Sequence, residues 1–358
     1  MKALAVLFII FLPVVASANS KLNVYNWSNY IDQKTVQDFE KIYKIDVNYD
    51  LYDSDYTLDA KLYVGKTGYD IVVPTAFPFL ARQSKIGMYK ELDTSKLKNY
   101  KNLNPAILEI LKKNGGLDKY GVPWMVGTLG IGYNTKVINK IFPNQKIDSW
   151  KYVFNKEYIK KISACGVVFI DAPNEIIPAA LLYLGLNPNS QKKEDLLAAR
   201  KLLLEIRPYI HTFDSSKYID DLANEDICLA VGFSGDLIQA KDRAEENGKG
   251  KIKYIIPKEG TQISVDTISI LKDAKNVDEA YKFIDYLLRP DVASFNTNRL
   301  GYANANSAAD KYIHKSILNN KNIYLTKGQI NQMYILKPLS NEIERMRSRL
   351  WIEVLTSK

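Results

Sequence analysis

Carboxylates and aromatic rings recur just past short apolar runs of this chain. Trp27-Ser28-Asn29-Tyr30 closes the run that begins at Leu22. Thr75, Phe77 and Phe79 follow the run ending at Pro74, and Asp171 and Glu175 follow Gly166–Ile170. Phe233-Ser234-Gly235-Asp236 follows Val231, and Tyr302 stands in the polar loop Gly301-Tyr302-Ala303-Asn304-Ala305-Asn306. Asp266 lies in Ser264-Val265-Asp266-Thr267-Ile268-Ser269-Ile270, where period two puts it on one face with Ile268 and Ile270. A carboxylate on such a face costs free energy unless it is paired. The chemistry these groups suit is the holding of an organic cation. Ammonium groups need carboxylates and hydroxyl or carbonyl acceptors. Cations favour aromatic faces, worth roughly 0.5 to 2 kcal/mol each, and flat rings wall a methylene spacer.

Each residue also has a plainer reading. Asp266 can be a strand-end acid facing solvent or a hydrogen-bonded helper. Asp236 can sit in the first turn of a helix and favour its dipole. Trp27 at a strand end can be core, and Glu175 alone is an ordinary surface acid. Sugar-binding clefts combine rings and acids too. Enzyme templates are missing. The only histidines, His211 and His314, have no metal-ligand spacing to each other or to a cysteine, and no G-x-S-x-G, Walker or G-x-G-x-x-G motif occurs. No catalytic residue, metal site or cofactor is therefore expected. The enzymatic reading that remains is a secreted hydrolase using paired acids such as Asp171 and Glu175.

The elements that would position these groups alternate. Apolar spacing predicts a strand over 22–27, a helix over 32–44 with Val36, Phe39, Ile42 and Tyr43 on one stripe, and strands over 45–49 and 69–73. A second unit follows: a strand over 166–170, a helix over 194–207 stopped before Pro208, a strand over 226–233 and a helix over 234–247. A further amphipathic helix over 277–289 stops at Pro290. Strand-helix-strand repetition implies an α/β fold with largely parallel, doubly wound sheets. Ligands of such sheets bind at the carboxyl ends of strands. No Pro- or Ser-rich linker separates the units, so the chain is expected to cross between them on extended segments, near Gly127-Thr128 and near Tyr254–Pro257.

Composition sets the frame. With 358 residues, 46% of them hydrophobic, the chain can bury two cores rather than one. Lys2, the apolar run Ala3–Val15 and the small residues Ala16-Ser17-Ala18 read as a secretory leader, residues 1–18, cleaved after Ala18. The run is too short to span a bilayer comfortably. Two cysteines, Cys165 and Cys228, in an exported chain favour a disulfide, two buried thiols being the alternative. The bridge would close a loop of about 63 residues, worth roughly 4 kcal/mol by loop entropy. A net charge of +9 arises from lysines spread along the chain, which reads as a solvated basic surface and not as a nucleic-acid footprint. That surface repels a cation at long range, so carboxylates in the site must overcome it locally.

Several stretches together resemble a known family. Val24-Tyr25-Asn26-Trp27-Ser28-Asn29-Tyr30 and Gly68-Tyr69-Asp70-Ile71-Val72-Val73-Pro74 look like the polyamine-binding proteins of spermidine/putrescine ABC importers. Cys165-Gly166, Phe169-Ile170-Asp171-Ala172-Pro173, Tyr218–Cys228, Ile256-Pro257-Lys258-Glu259-Gly260, Leu287–Val292 and Tyr302–Asn306 look closest to the family's putrescine-binding branch. The resemblance runs in order along nearly the whole mature chain. It implies a type II periplasmic-binding fold of two lobes with a ligand cleft between them, residues 19–126 and 256–304 in lobe one and 127–255 and 305–358 in lobe two. It further implies a Cys165–Cys228 disulfide and a pocket of Trp27, Ser28, Tyr30, Glu175, Asp236, Asp266 and Tyr302. Four places depart from the family pattern. Asn29 stands where an acid is usual, Phe233 where a tryptophan is, and Ser264 where an aromatic wall is. The segment Thr75-Ala76-Phe77-Pro78-Phe79 carries an extra residue and lacks a second serine. Asn29, Thr75, Phe77 and Phe233 are nonetheless expected to line the pocket. The resemblance implies a monomeric periplasmic protein that captures putrescine, cadaverine, agmatine or spermidine and delivers it to a membrane permease, without catalysis. A type II binding protein for another cationic or polar solute, or a sensor module docking on a membrane receptor, are the alternatives.

Overall fold

The first strand-helix-strand unit folds as its apolar spacing predicts. The computed structural model describes residues 20–357, and the leader expected over 1–18 lies outside them. β1 (Ser20–Trp27) buries Leu22 and Val24. The helix Gln33–Tyr43 is capped by Asp32, whose side chain accepts from Lys34 N, and ends at Lys44 in the left-handed region. β2 (Ile45–Tyr52) then returns parallel to β1.

The remaining described strands are β3 (Ile71–Val72), β4 (Val122–Asn134), β5 (Val167–Phe169), β6 (Thr212–Phe213), β7 (Leu229–Phe233), β8 (Ile252–Ile255), β9 (Ile263–Ile270) and β10 (Ala303–Asn304). They order as β2-β1-β3-β9-β4-β7-β5-β6, with β8 and β10 also pairing with β4. The expected parallel sheets are the two outer triplets, β2-β1-β3 and β7-β5-β6. Antiparallel ladders join them through β9 and β4. Helices flank both triplets, as parallel strands require for their crossovers.

β4 is the long element of this join, and all of it is buried. Its residues up to Thr128 pair with β9, and those from Leu129 pair with β7. The hand-over falls beside the crossing expected at Gly127-Thr128. The chain returns between β8, which ends at Ile255, and β9, which begins at Ile263. Beyond β10 it stays with the first triplet's helices. Asn298 Nδ2 donates to Tyr312 O (3.1 Å), and His314 N donates to Asn298 Oδ1 (2.8 Å). The C-terminal helix Asn341–Thr356 instead packs against the second triplet's helices, with Arg200 of the helix Lys193–Ile206 paired to Glu353.

Cys165 and Cys228 form a disulfide with a Cα–Cα distance of 5.5 Å. It ties the approach to β5 to the start of β7, two neighbouring parallel strands. Among the described residues no helix is long and apolar enough to cross a membrane.

Candidate functional site

The carboxyl ends of the parallel strands in both triplets face one cleft, lined by Trp27, Ser28, Asn29, Tyr30, Asp53, Thr75, Gly127, Ser215, Ile219, Phe233, Asp236, Ser264, Asp266 and Tyr302. Trp27 is the last residue of β1, and Ser28 to Tyr30 form the turn after it. Asn29 adopts φ 54°, a left-handed conformation that asparagine tolerates better than most residues. Phe233 ends β7, and Asp236 sits in the first turn of the helix Ser234–Glu246. Tyr302 leans over that helix start, where Gly235 admits it: a Cβ there would fall 2.1 Å from the tyrosine ring.

Asp266 is 8% exposed and accepts from two hydroxyls, Tyr30 OH and Thr75 Oγ1 (the latter 2.7 Å). Thr75 bridges to it across the gap between β3 and β9. Burial pushes the Asp266 carboxyl up to about 6, against the pull of these hydrogen bonds. Asp236, partly buried, accepts from Tyr218 OH (2.6 Å) and Tyr302 OH (2.7 Å), and burial raises its carboxyl too. The rings of Tyr30 and Tyr302 meet edge to face at 4.9 Å. Trp27 packs on Tyr52 at 4.8 Å and donates from Nε1 to Val73 O (2.9 Å), which fixes its indole as a wall.

A second, small chamber adjoins the cleft and shares Trp27, Asp53, Ser215 and Phe233 with it. Asp55, Tyr56, Phe79, Asp171 and Glu175 complete its wall. Glu175 lies in the first turn of the helix Pro173–Tyr183, after β5. Burial raises its carboxyl to about 7, partly offset by Gln262 and by the Arg347 guanidinium. Asp55 is also raised, well above the usual carboxylate range, by burial.

The structure thus brings Trp27, Ser28, Asn29, Tyr30, Thr75, Phe233, Asp236, Asp266 and Tyr302 to one cavity, and Glu175 to the chamber beside it. Phe77 is the exception. Phe77 is extended (φ −126°, ψ 120°) at a kink within Ala76–Leu80, and its side chain is buried in the core, 4% exposed and away from both cavities. Asp53 and Ser215 were not anticipated. They follow β2 and β6, so the strand-end rule applied to every parallel strand finds them. Asp171, the hydrolase reading's other acid, accepts from Trp351 Nε1 (2.6 Å) and is committed to a structural bond. Among the described residues no cluster of His, Cys, Asp and Glu could hold a metal.

The arrangement defines a two-sided clamp for a cation, and the comparisons agree with that class. A family profile described as bacterial extracellular solute-binding protein matches residues 34–322, and the chain belongs to this family. It is 44% identical over 345 residues to the putrescine-binding periplasmic protein SpuD of Pseudomonas aeruginosa, covering 96% of this chain and 94% of the relative. It is 43% identical over 347 residues to the putrescine-binding periplasmic protein PotF of Escherichia coli, again covering 96% and 94%. Among solved structures, a putative spermidine/putrescine ABC transporter protein from Listeria monocytogenes superposes with TM-score 0.85 at 30% identity, over 95% of this chain and 100% of that one. The fold is the two-lobed type II periplasmic-binding fold, with the cleft between the lobes.

Proposed function

We propose that this chain captures a polyamine, putrescine or a close relative, in the cleft and delivers it to an ABC-type permease of the inner membrane. The observation that carries the reading is the set of carboxylates, buried Asp266 and Glu175 and half-buried Asp236, that meet around aromatic walls drawn from both triplets. At Asp266 and Asp236 the partners are neutral hydroxyls, so the negative charge stays available to a ligand. Each ammonium would sit between carboxylates while the rings enclose the carbon spacer. The relatives' printed names point to the same ligand class.

Residues 20–126 and 256 to His314 act as lobe one, and 127–255 with the C-terminal helix act as lobe two. We set the third crossing after His314 rather than at 305, a placement supported by the bonds between Asn298 of the helix Pro290–Leu300 and Tyr312 and His314. The ligand seats on Trp27, Tyr30, Thr75 and Asp266. Closure adds Phe233, Asp236 and Glu175, and the ligand drives closure by binding the closed form better. The protein works as a periplasmic monomer after loss of its leader and performs no bond chemistry.

A thermal-shift panel of putrescine, cadaverine, agmatine, spermidine and spermine tests this. A ligand at a hundred times its dissociation constant stabilises by about 2.7 kcal/mol. No shift with any of the five amines would overturn the reading.

A further inference from the structure

The C-terminal helix reaches the cleft through two side chains one turn apart, and both end on the segment that carries Glu175. Arg347 Nη2 donates to Pro173 O (2.9 Å) and to Asn174 Oδ1 (2.6 Å). Trp351 Nε1 donates to Asp171 Oδ1 (2.6 Å). These bonds fix the backbone on both sides of Ala172, where the helix Pro173–Tyr183 starts without a side-chain cap. Arg347 is 6% exposed, yet its Nε has no hydrogen-bond partner among the described residues. Gln262 Oε1 and Tyr334 OH are buried and equally unpartnered. Gln262 Nε2 meets Glu175 Oε1 at 3.5 Å, and Tyr334 lies within the field of both Glu175 and Arg347.

We propose that Arg347 is a positioning residue of the cation site: through its bonds to Pro173 and Asn174 it fixes the helix start that carries Glu175 and sets a guanidinium beside that carboxylate. This rests on the reading of the cleft as a polyamine site. Among the described residues, the groups that act on or wall in Glu175 are the Gln262 amide, the Arg347 guanidinium and a set of acids and phenols. Asp266 comes from β9, Asp55 and Tyr56 from the helix Asp55–Val64, Asp53 from the turn before it, and Asp171 from the loop after β5. Tyr334 comes from the segment after the helix Lys327–Gln332, and Glu344 lies on the C-terminal helix beside Arg347. Without the guanidinium, Glu175 would keep the long Gln262 contact but lose its opposite charge, and would hold its proton to higher pH. A protonated Glu175 accepts an ammonium poorly, so the amine would have to displace that proton. An arginine near a cation site costs some direct repulsion, and that cost is offset near neutral pH by a larger ionised fraction of Glu175 than the acid would keep without it.

Calorimetric dissociation constants for putrescine between pH 6 and pH 8.5 test the assignment on the wild type, Arg347→Met, Arg347→Lys and Trp351→Phe. Arg347→Met should shift the pH at which affinity falls upward, so that its deficit against wild type is at least fivefold at pH 6.5 and shrinks toward pH 8.5. Arg347→Lys keeps the charge and should restore the wild-type pH profile, with a uniform loss from the broken contacts to residues 173 and 174. Trp351→Phe keeps the packing on Phe213 and should weaken binding at all pH values alike, which gives the positioning arm a readout if Arg347→Met fails to fold. Parallel pH profiles for wild type and Arg347→Met, or Arg347→Lys behaving like Arg347→Met, overturn the proposal while leaving the polyamine reading intact. A wild-type chain that binds no amine at any pH overturns the polyamine reading and takes this proposal with it.

Discussion

The two ends of the cleft hold carboxylates in opposite ways. At the Asp266 and Asp236 end each acid is met by two hydroxyl donors, Tyr30 and Thr75 for one, Tyr218 and Tyr302 for the other. At the Glu175 end a long contact from Gln262 is the side-chain hydrogen bond present, and an arginine supplies the compensation. The hydroxyls hold the Asp266 and Asp236 carboxylates in place, so these acids have little freedom left to lose on binding. Asp266 and its two donors belong to one lobe, whereas Asp236 is held by Tyr218 of its own lobe and by Tyr302 of the other, and Glu175 has the looser hold. The difference teaches that affinity and closure can be set at separate places in one site. On the proposed function the hydroxyl-held acids are expected to supply most of the affinity, and the loosely held acid to respond most to closure.

That division makes a ranked set of outcomes. Asp266→Asn should weaken putrescine binding by at least about tenfold, because a charge-assisted bond to a buried ammonium is worth about 1.5 to 3 kcal/mol. Calorimetry reads it directly, and an unchanged constant would break the division at its stronger end. Glu175→Gln should cost less, about threefold to tenfold by the same scale, since the native carboxylate is partly protonated near neutral pH. Its loss should appear in the extent of closure, which small-angle scattering with saturating ligand reads as a less compact average. A Glu175→Gln chain that loses more affinity than Asp266→Asn would reverse the ranking.

Acidity sharpens the same contrast. Burial raises Asp266 to about 6 and Glu175 to about 7, both above their unfolded values. A raised carboxyl stabilises the folded, empty protein below its unfolded pKa, and that contribution is lost as pH rises through about 6 and then about 7. The ligand-free melting temperature should therefore fall between pH 5 and pH 8, and the ligand-induced rise in it should grow over the same window. A dication replaces protons that the empty cleft holds, so affinity drops on acidification, first through Glu175 and then through Asp266. A ligand-induced rise that is flat from pH 5 to pH 8 would show that neither acid titrates in the empty cleft.

Much of this was legible in the sequence because strand ends are. Trp27, Phe233 and Glu175 follow parallel strands, and the rule that such ends face a ligand placed them without a structure. Asp266 was legible for another reason: an acid on the apolar face of a strand must find partners, and Tyr30 and Thr75 are those partners. Phe77 falls in the core because it is an extended residue at a kink within Ala76–Leu80, where neither period two nor the helical period continues, so nothing in the spacing shows which way it points. Asp53 was passed over because the apolar spacing stops the predicted strand at 49, whereas β2 runs on to Tyr52 and so puts Asp53 just past its carboxyl end. The brace from Arg347 and Trp351 could not be read at all. It joins residues more than 170 positions apart, and only the folded chain lays the C-terminal helix across the turn after β5.

The smallest expected effect tests whether pre-organisation itself contributes. Tyr302 OH donates to Asp236, its ring meets Tyr30 edge to face, and Gly235 makes room for it. Tyr302→Phe keeps the ring and removes the hydroxyl, while Tyr218 still donates to Asp236. Losing one neutral hydrogen bond of two is worth about 0.5 to 1.5 kcal/mol, a change of about twofold to tenfold in affinity. If the hydroxyl merely satisfies a buried acid, the loss is recovered when the ammonium takes its place, and affinity stays the same or rises. If it aims the acid, affinity falls and the dissociation rate rises, with the association rate unchanged. Stopped-flow measurement with putrescine separates the two, and a rise in affinity would move the pre-organising function from Tyr302 to Tyr218 alone.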